Sequence, residues 1–525
     1  MPVSPDAMDP MAASNEIFDV AIVGGSLAGA ATAWLLLRDR PDLKIVLLER
    51  AATHGRKVGE ATVEVSAFFL TRVLGLTDHL QHEHLNKQGL RFWFANDHST
   101  SLADCSEIGG RYLARVPSFQ IDRARLDEEI LRRAEAAGTR VLRPVTVQKI
   151  DLQPHGRQTV HFRQGDHTGT LSARWVVDAS GVATLLARQQ GWHRPNTDHP
   201  THSAWARWRG VKDWDGLELA RRHPEWASAH HGLRGTATNH LMGPGWWAWM
   251  IPLRGGDTSV GVVFDPRQVD WPEGGSVAER LKNFLLAHPT GRELMSDAQP
   301  VEGDVHWRRQ LAYRSETVAG PGFVLVSDAA GFLDPFYSPG MDWLSFTVMR
   351  AVDLIAGADR RQAEATASEI QRYNADIRRS YDRWFDAIYR DKYAYLGDFE
   401  LMRIAFLLDL GCYYLGVASQ PFKRGEAGLS EPPFTTPPST PVYWLMSLYN
   451  RRLAALGRSR RQRGTFGRMN HRQRLLVPGF TFSPGSARPL LGCVLRWLHL
   501  EITEGWRSWG QPIPPVTEPH PMPSR

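Results

Sequence analysis

The sequence predicts an α/β fold: a parallel-sheet domain that opens with a βαβ unit, an interleaved β-sheet domain, and a helical C-terminal region. Three observations predict it. The apolar run Phe18 to Val23 meets a glycine-rich turn and then an apolar helical segment, Ala30 to Arg38. Two further apolar runs, WVVDASG from Trp175 to Gly181 and FVLVSDAAG from Phe323 to Gly331, end in one Asp-Ala-small-Gly pattern. Past about residue 391 the chain turns aromatic- and arginine-rich, with helical spacing.

The first unit carries its own chemistry. Gly24-Gly25-Ser26-Leu27-Ala28-Gly29 is the turn. Gly24 allows the tight bend, the small Ser26 lets backbone approach a pyrophosphate, and Gly29 permits close helix packing, so the helix N-terminus can face phosphates. Ser26 stands where the second glycine is usual, and Ala28 completes the contact. A second strand, Lys44 to Leu48, ends at Glu49. Its carboxylate lies about twenty residues past the turn, where such folds bond a ribose hydroxyl. Strand, turn, helix, strand and acid in this order make a Rossmann-like dinucleotide site.

The distal Asp-Ala-small-Gly strands resemble the later FAD motifs of the glutathione-reductase-like class of flavin monooxygenases; by themselves they would be strand ends with capping aspartates. The resemblance implies FAD, with Asp328 at the ribityl or pyrophosphate part and Ser327 replacing a usual glycine. PSFQIDRARLDEEILRRA, Pro117 to Ala134, is similar to the segment that opens a helix beside the flavin, which makes Arg123 a cofactor contact. Alone it reads as an amphipathic helix with a solvated charged face.

Two more stretches narrow the class. Trp247-Ala248-Trp249-Met250-Ile251-Pro252 fits the W-x-W-x-I-P signature of flavin-dependent halogenases, and Phe332 to Gly340 (FLDPFYSPG) fits their F-x-x-P-x-x-S-x-G signature, both at every fixed position. The resemblance implies that reduced FAD, dioxygen and a halide ion give hypohalous acid. Trp247 and Trp249 would wall the organic substrate and water away from the flavin. Ser338 is the motif serine, and the amides of Gly340 and Met341 would face the halide. The family directs the hypohalous acid with a lysine. Lys87-Gln88-Gly89-Leu90-Arg91-Phe92, about 27 residues beyond Gly59-Glu60-Ala61-Thr62, resembles the stretch that carries it. Lys87 would act as an ammonium donor or, desolvated and neutral, as a haloamine; out of this context it is one exposed lysine among many. Lys57, beside Gly59 and Glu60, is the rival and is expected at the flavin edge.

Two departures matter. Tryptophan-specific halogenases carry a glutamate directly before the motif serine, where this chain has Tyr337. That turns the expectation from free tryptophan to other electron-rich aromatics, phenols or pyrroles above indoles, free or borne on an acyl carrier protein. Pro339 follows the serine and has no N–H to offer a halide, which leaves halide preference open and favours bromide as a hypothesis.

Composition bounds the rest. The 525 residues, 42% hydrophobic, divide into a tail at 1–16, an FAD-binding core at 17–390 with substrate-side insertions near 85–115 and 190–310, and a helical, Pro/Arg-rich region at 391–525. Cys105, Cys412 and Cys493 form neither a metal nor a disulfide pattern, so a reducing cytoplasm is expected. The first sixteen residues lack a signal peptide's apolar core. Ile404 to Ala418 contains Asp409 and is short for a bilayer span, hence a buried helix. Glu431 to Pro441 (EPPFTTPPSTP) reads as an extended or polyproline linker. Nine arginines follow between Arg451 and Arg474: a solvated face, or an electrostatic dock for an acidic partner. A net charge of +6 without a recognised binding fold argues against nucleic acid. No second glycine-rich βαβ fingerprint for a nicotinamide nucleotide is visible, so a separate flavin reductase is expected. The competing readings are an FAD-dependent aromatic hydroxylase or reductase, and a non-catalytic flavin-binding partner protein.

Overall fold

A computed structural model describes residues 17–114, 116–229, 232–358, 361–477 and 487–509. The tail expected at 1–16 lies outside them. The chain weaves between two sheets. It lays down β1 (Ile17–Val23), α1 (Leu27–Asp39) and β2 (Ile45–Leu48), then crosses with α2 (Glu64–Phe68) to β3 (Leu90–Phe94) and β4 (Ser106–Gly110). It returns through α3 (Arg123–Ala136), β5 (Arg140–Leu142) and β6 (His167–Asp178), and crosses again to β7 (His202–Arg209), β8 (Thr238–Gly243), β9 (Trp246–Pro252), β10 (Thr258–Phe264) and β11 (Gln299–Arg308). It comes back with β12 (Phe323–Leu325) and α4 (Pro339–Ala358), then runs through α5 (Ala363–Trp384), α6 (Phe399–Tyr413), α7 (Thr440–Gln462), β13 (Arg474–Val477) and α8 (Ala487–Thr503).

The first sheet has the parallel order β12-β6-β1-β2-β5 at its centre. All four residues of β2 and most of α1 are buried, because a parallel sheet flanked by helices leaves neither face to water. The second sheet runs β11-β7-β10-β9-β8-β3-β4-β13. It therefore collects strands from both expected insertions and one from the far C-terminus. Gly261 of β10 is required by packing: a Cβ there would lie 2.3 Å from the Trp249 ring.

The C-terminal region departs from expectation at its prolines. Residues 431–441 are a compact turn with a short 3-10 helix, Pro437–Ser439, that feeds α7, not an extended linker. Pro441 sits in the first turn of α7, where its missing N–H costs nothing, and Phe434 is buried. The arginines pair widely with acids of the fold, and several keep a solvated face. Arg460, 0% exposed, bonds Asp398, Glu400 and Glu504; Arg452 bonds Glu501, Arg451 bonds Asp386 and Arg472 bonds Asp104. These acids balance much of the charge of the basic stretch, while Arg451, Arg468 and Arg472 remain 45%, 47% and 69% exposed. The helical run Phe399–Arg424 is apolar and long enough to cross a membrane, yet 78% of its apolar window is buried within the fold. Cys105, Cys412 and Cys493 are free and buried.

Candidate active site

At the glycine-rich turn, a Cβ on Gly24 would sit 2.4 Å from the Ala179 carbonyl oxygen, and one on Gly29 would sit 1.9 Å from the Gly24 carbonyl oxygen. Gly24 has φ +103°, so turn and contact both demand glycine. Ser26 begins α1 without a side-chain cap, which leaves the first-turn amides to the space ahead of the helix. Ala28 is buried in that turn. Glu49 ends β2 and accepts the amides of Gly25 (2.6 Å) and Ala51 (2.8 Å); a carboxylate has about four acceptor sites, so a ribose hydroxyl can still be served.

Cations gather at the same helix end. Lys57 donates to Ser26 Oγ and pairs with the buried Asp127 at 3.3 Å, and Arg123, on the first turn of α3, holds Asp127 at 3.0 Å. The Arg123 guanidinium also faces Gly59, where a Cβ would meet its Nη1 at 3.0 Å. Lys57 thus stands at the α1 N-terminus, apart from Lys87. Asp328 follows Ser327, which adopts φ +55°. Burial pushes its carboxyl up to about 6 against the pull of Arg123 and Arg308. The capless helix end, the glycine cradle and the cationic flank fit a dinucleotide pyrophosphate.

Glu60, whose charge also reaches Arg123, links this group to the second sheet. Its carboxylate takes Arg207 at 2.7 Å and 2.9 Å, and burial pushes it up to about 7 against the opposing pull of Arg207 and Ser259. Ser259 also accepts the Trp249 indole N–H at 3.2 Å, so Glu60 supports the indole wall from behind.

That wall is fixed by hydrogen bonds as well as packing. Trp247 Nε1 donates to Tyr393 Oη at 2.9 Å, Tyr393 donates to Asp334 at 2.9 Å, and His199 contacts the same carboxylate at 2.8 Å. Asp334 also accepts the Phe336 amide. The Trp247, Phe336, His240 and Phe92 rings pack in sequence, with Phe92 stacked on His240 at 4.8 Å. Burial, with a smaller push from nearby Lys87 and against the bond to the Arg91 carbonyl, lowers the His240 imidazole to about 3, so it is a neutral part of the wall.

Lys87 is 2% exposed, and its ammonium donates to the Thr62 carbonyl at 2.7 Å. Burial pulls it down to about 8, and Glu64 and Asp342 hold it up. Segment 62–66 frames this pocket. Thr62 takes Lys87, the Glu64 carboxylate accepts Tyr414 Oη at 2.6 Å, and the Ser66 amide donates to Asp342 at 2.8 Å. Tyr413 donates to the other Asp342 oxygen at 2.8 Å. Burial, partly offset by these bonds, pushes Asp342 up to about 7.

The motif loop is wound against its preference. Tyr337 and Ser338 have φ +68° and +58°, the left-handed region that bulky residues avoid, and Pro339 then opens α4 ahead of Gly340 and Met341. The Tyr337 hydroxyl donates to Asp409 Oδ2 at 3.1 Å. Asp409 also accepts Lys392 (2.6 Å), Tyr449 (2.6 Å) and Asn450 (3.1 Å). The C-terminal helices thereby hold the loop in place. Sequence reasoning missed Glu64, Asp342, Tyr413, Lys392 and Asp409. The one available signal was charge inside otherwise apolar helical stretches, at Asp342 and Asp409.

Comparison with known proteins follows the same lines. The family model for tryptophan halogenase matches residues 111–393, and that for lycopene cyclase protein matches 19–198. Flavin-dependent halogenase chlA of Dictyostelium discoideum is 26% identical over 367 residues, 63% of this chain and 58% of that protein. Flavin-dependent halogenase gsfI of Penicillium aethiopicum is 26% identical over 344 residues, 61% of each. The 1H-pyrrole-2-carbonyl-(peptidyl-carrier protein) chlorinase of Pseudomonas fluorescens is 25% identical over 396 residues, 71% of this chain and 83% of that protein. The chain thus spans about three fifths of the length of the first two relatives. In fold it is similar to the solved structures of halogenase PltM (TM-score 0.70, 19% identity, 92% of this chain and 96% of that one) and brominase Bmp2 (TM-score 0.62, 19% identity, 83% and 100%).

Proposed function

The chain belongs to the tryptophan halogenase family, and from that premise we propose that it is an FAD-dependent halogenase in which Lys87 directs hypohalous acid onto an electron-rich aromatic. The substrate is of phenol or pyrrole type, free or carrier-borne, the latter by analogy with the chlorinase relative's name. A separate flavin reductase supplies reduced FAD. The observation that carries this reading is Lys87, buried beside His240 of the aromatic wall, with Glu64 and Asp342 supporting its charge.

Bound reduced FAD would supply two electrons that bring dioxygen to the peroxide level, the oxidant that converts halide to hypohalous acid with release of water. The chain's residues do the rest. Ser26, Ala28, Gly29, Glu49, Lys57 and Arg123 would hold the dinucleotide, with Asp328 beside its central part. Trp247 and Trp249 keep water and the aromatic on the far side. Gly340 and Met341 are left to serve the halide, since Pro339 cannot donate. Of the three Lys87 N–H groups, one is spent on Thr62; the others can donate to the hypohalous oxygen and polarise its bond to halogen. Tyr337, a phenol that burial holds well above its ordinary range, cannot accept the indole proton as a glutamate does. A phenolate, already activated, needs no such base.

The test supplies enzyme, reduced FAD, dioxygen and bromide with monochlorodimedone as trap, and follows the trap by mass spectrometry. A halogenated trap supports the reading. Peroxide without a halogenated trap would overturn it in favour of the hydroxylase.

A further inference from the structure

The C-terminal helix carries a second apolar face that no described residue covers. The inner face of α8 packs on α6 through buried Cys493 and Leu500. Its outer face exposes Leu491, Leu495, Leu498 and Ile502 at spacings of four, three and four, which is one helical stripe. Past the helix end, Trp506 and Trp509 are exposed as well, Trp509 with its indole N–H turned back onto Glu501. Exposed Leu445 and Leu448 of α7 lie toward the same region: Arg452, one turn past Leu448, bonds Glu501, one turn past Trp497. A helix apolar on both faces belongs between two covers, and the described residues supply one.

Charge selects the occupant. The only acids of residues 487–509 are Glu501 and Glu504, and both are turned inward, 8% and 11% exposed, onto Arg452 and Arg460. Outward charge comes from Arg488 and Arg507, with His499 between them. A second copy of the chain seated on this stripe would bring like cations around one seam. An anionic surface neutralises them. Tryptophans past the helix end suit a boundary between polar headgroups and acyl chains. We propose that the outer face of α8, with the adjoining end of α7, docks this protein peripherally on an anionic lipid surface.

Flotation of the full-length protein with vesicles tests this. Vesicles of phosphatidylcholine mixed with phosphatidylserine should carry the protein, pure phosphatidylcholine should carry less, and added salt should release it. Leu495→Gln with Leu498→Gln should lower vesicle affinity about tenfold per leucine, without altering thermal stability, since both sites are exposed. Brominated lipid should quench the wild type more than W506F/W509F. Failure to float with either composition, or equal flotation of the leucine variant, would overturn the proposal. So would a dimer in light scattering that the leucine variant dissolves while vesicles bind neither protein, because the occupant would then be a second copy.

Discussion

The buried pair under the motif loop allows a stability prediction that turns on an asymmetry. Asp409 is 4% exposed with four donors on it, whereas Lys392 is 0% exposed and has two acceptors, Asp409 and Asn450. Lys392→Met leaves the carboxylate three hydrogen bonds, so the loss is the ammonium's two contacts, to Asp409 and Asn450, about 2–3 kcal/mol. Asp409→Asn removes the charge that compensates a buried ammonium and turns one of two acceptor oxygens, each of which faces two donors, into a donor. That belongs with broken buried pairs, about 3–5 kcal/mol, a large share of a total near 5–15 kcal/mol. The double variant buries no charge and should fall short of the summed costs by about 2 kcal/mol. Urea midpoints for the four proteins measure this, with hydrogen exchange in α6 and α7 reporting whether the loss is local. An Asn variant as stable as the Met variant, or strict additivity, would refute the argument.

Three further outcomes are expected. Lys87→Ala should abolish halogenation of the trap while oxidation of reduced flavin continues, as stopped-flow absorbance would show. Because Lys87 falls from an ordinary 10.5 to about 8 in the fold, and the ammonium is the proposed donor, halogenation should decline as pH rises through about 8. Its contribution to stability has the opposite sign, improving from about 8 upward as the buried charge is lost; Asp342→Asn removes a supporting charge and should move the alkaline limb of the rate profile to lower pH. Gly29→Val should prevent FAD retention, read by flavin absorbance after gel filtration, because its side chain meets the Gly24 carbonyl oxygen.

The sequence was most legible where sterics leave no choice. Gly24 and Gly29 are forced by contacts under 2.5 Å, so their spacing could be read directly. The indole pair and the Phe332 to Gly340 loop were legible as motifs. The pairing of the arginine stretch was not legible, because its partners lie elsewhere, at Asp398 and Glu400 and again at Glu501 and Glu504. A local charge count cannot see ion pairs closed by tertiary contact. The same limit hid the Lys87 pocket, assembled from segment 62–66, the first turn of α4 and the end of α6. The prolines between 431 and 441 misled for another reason. Proline suits a helix's first turn as well as an extended linker.

The place of β13 has a bearing on synthesis. It pairs in parallel with β4, Arg474 opposite Glu107 and Val477 opposite Gly110, so one side of β4 waits for residues made more than 360 positions later. Until then β4 offers its row of backbone donors and acceptors to any extended chain nearby. A ribosome stalled before residue 474 would therefore present a half-finished sheet with a live edge, the kind of nascent chain that a chaperone has to shield.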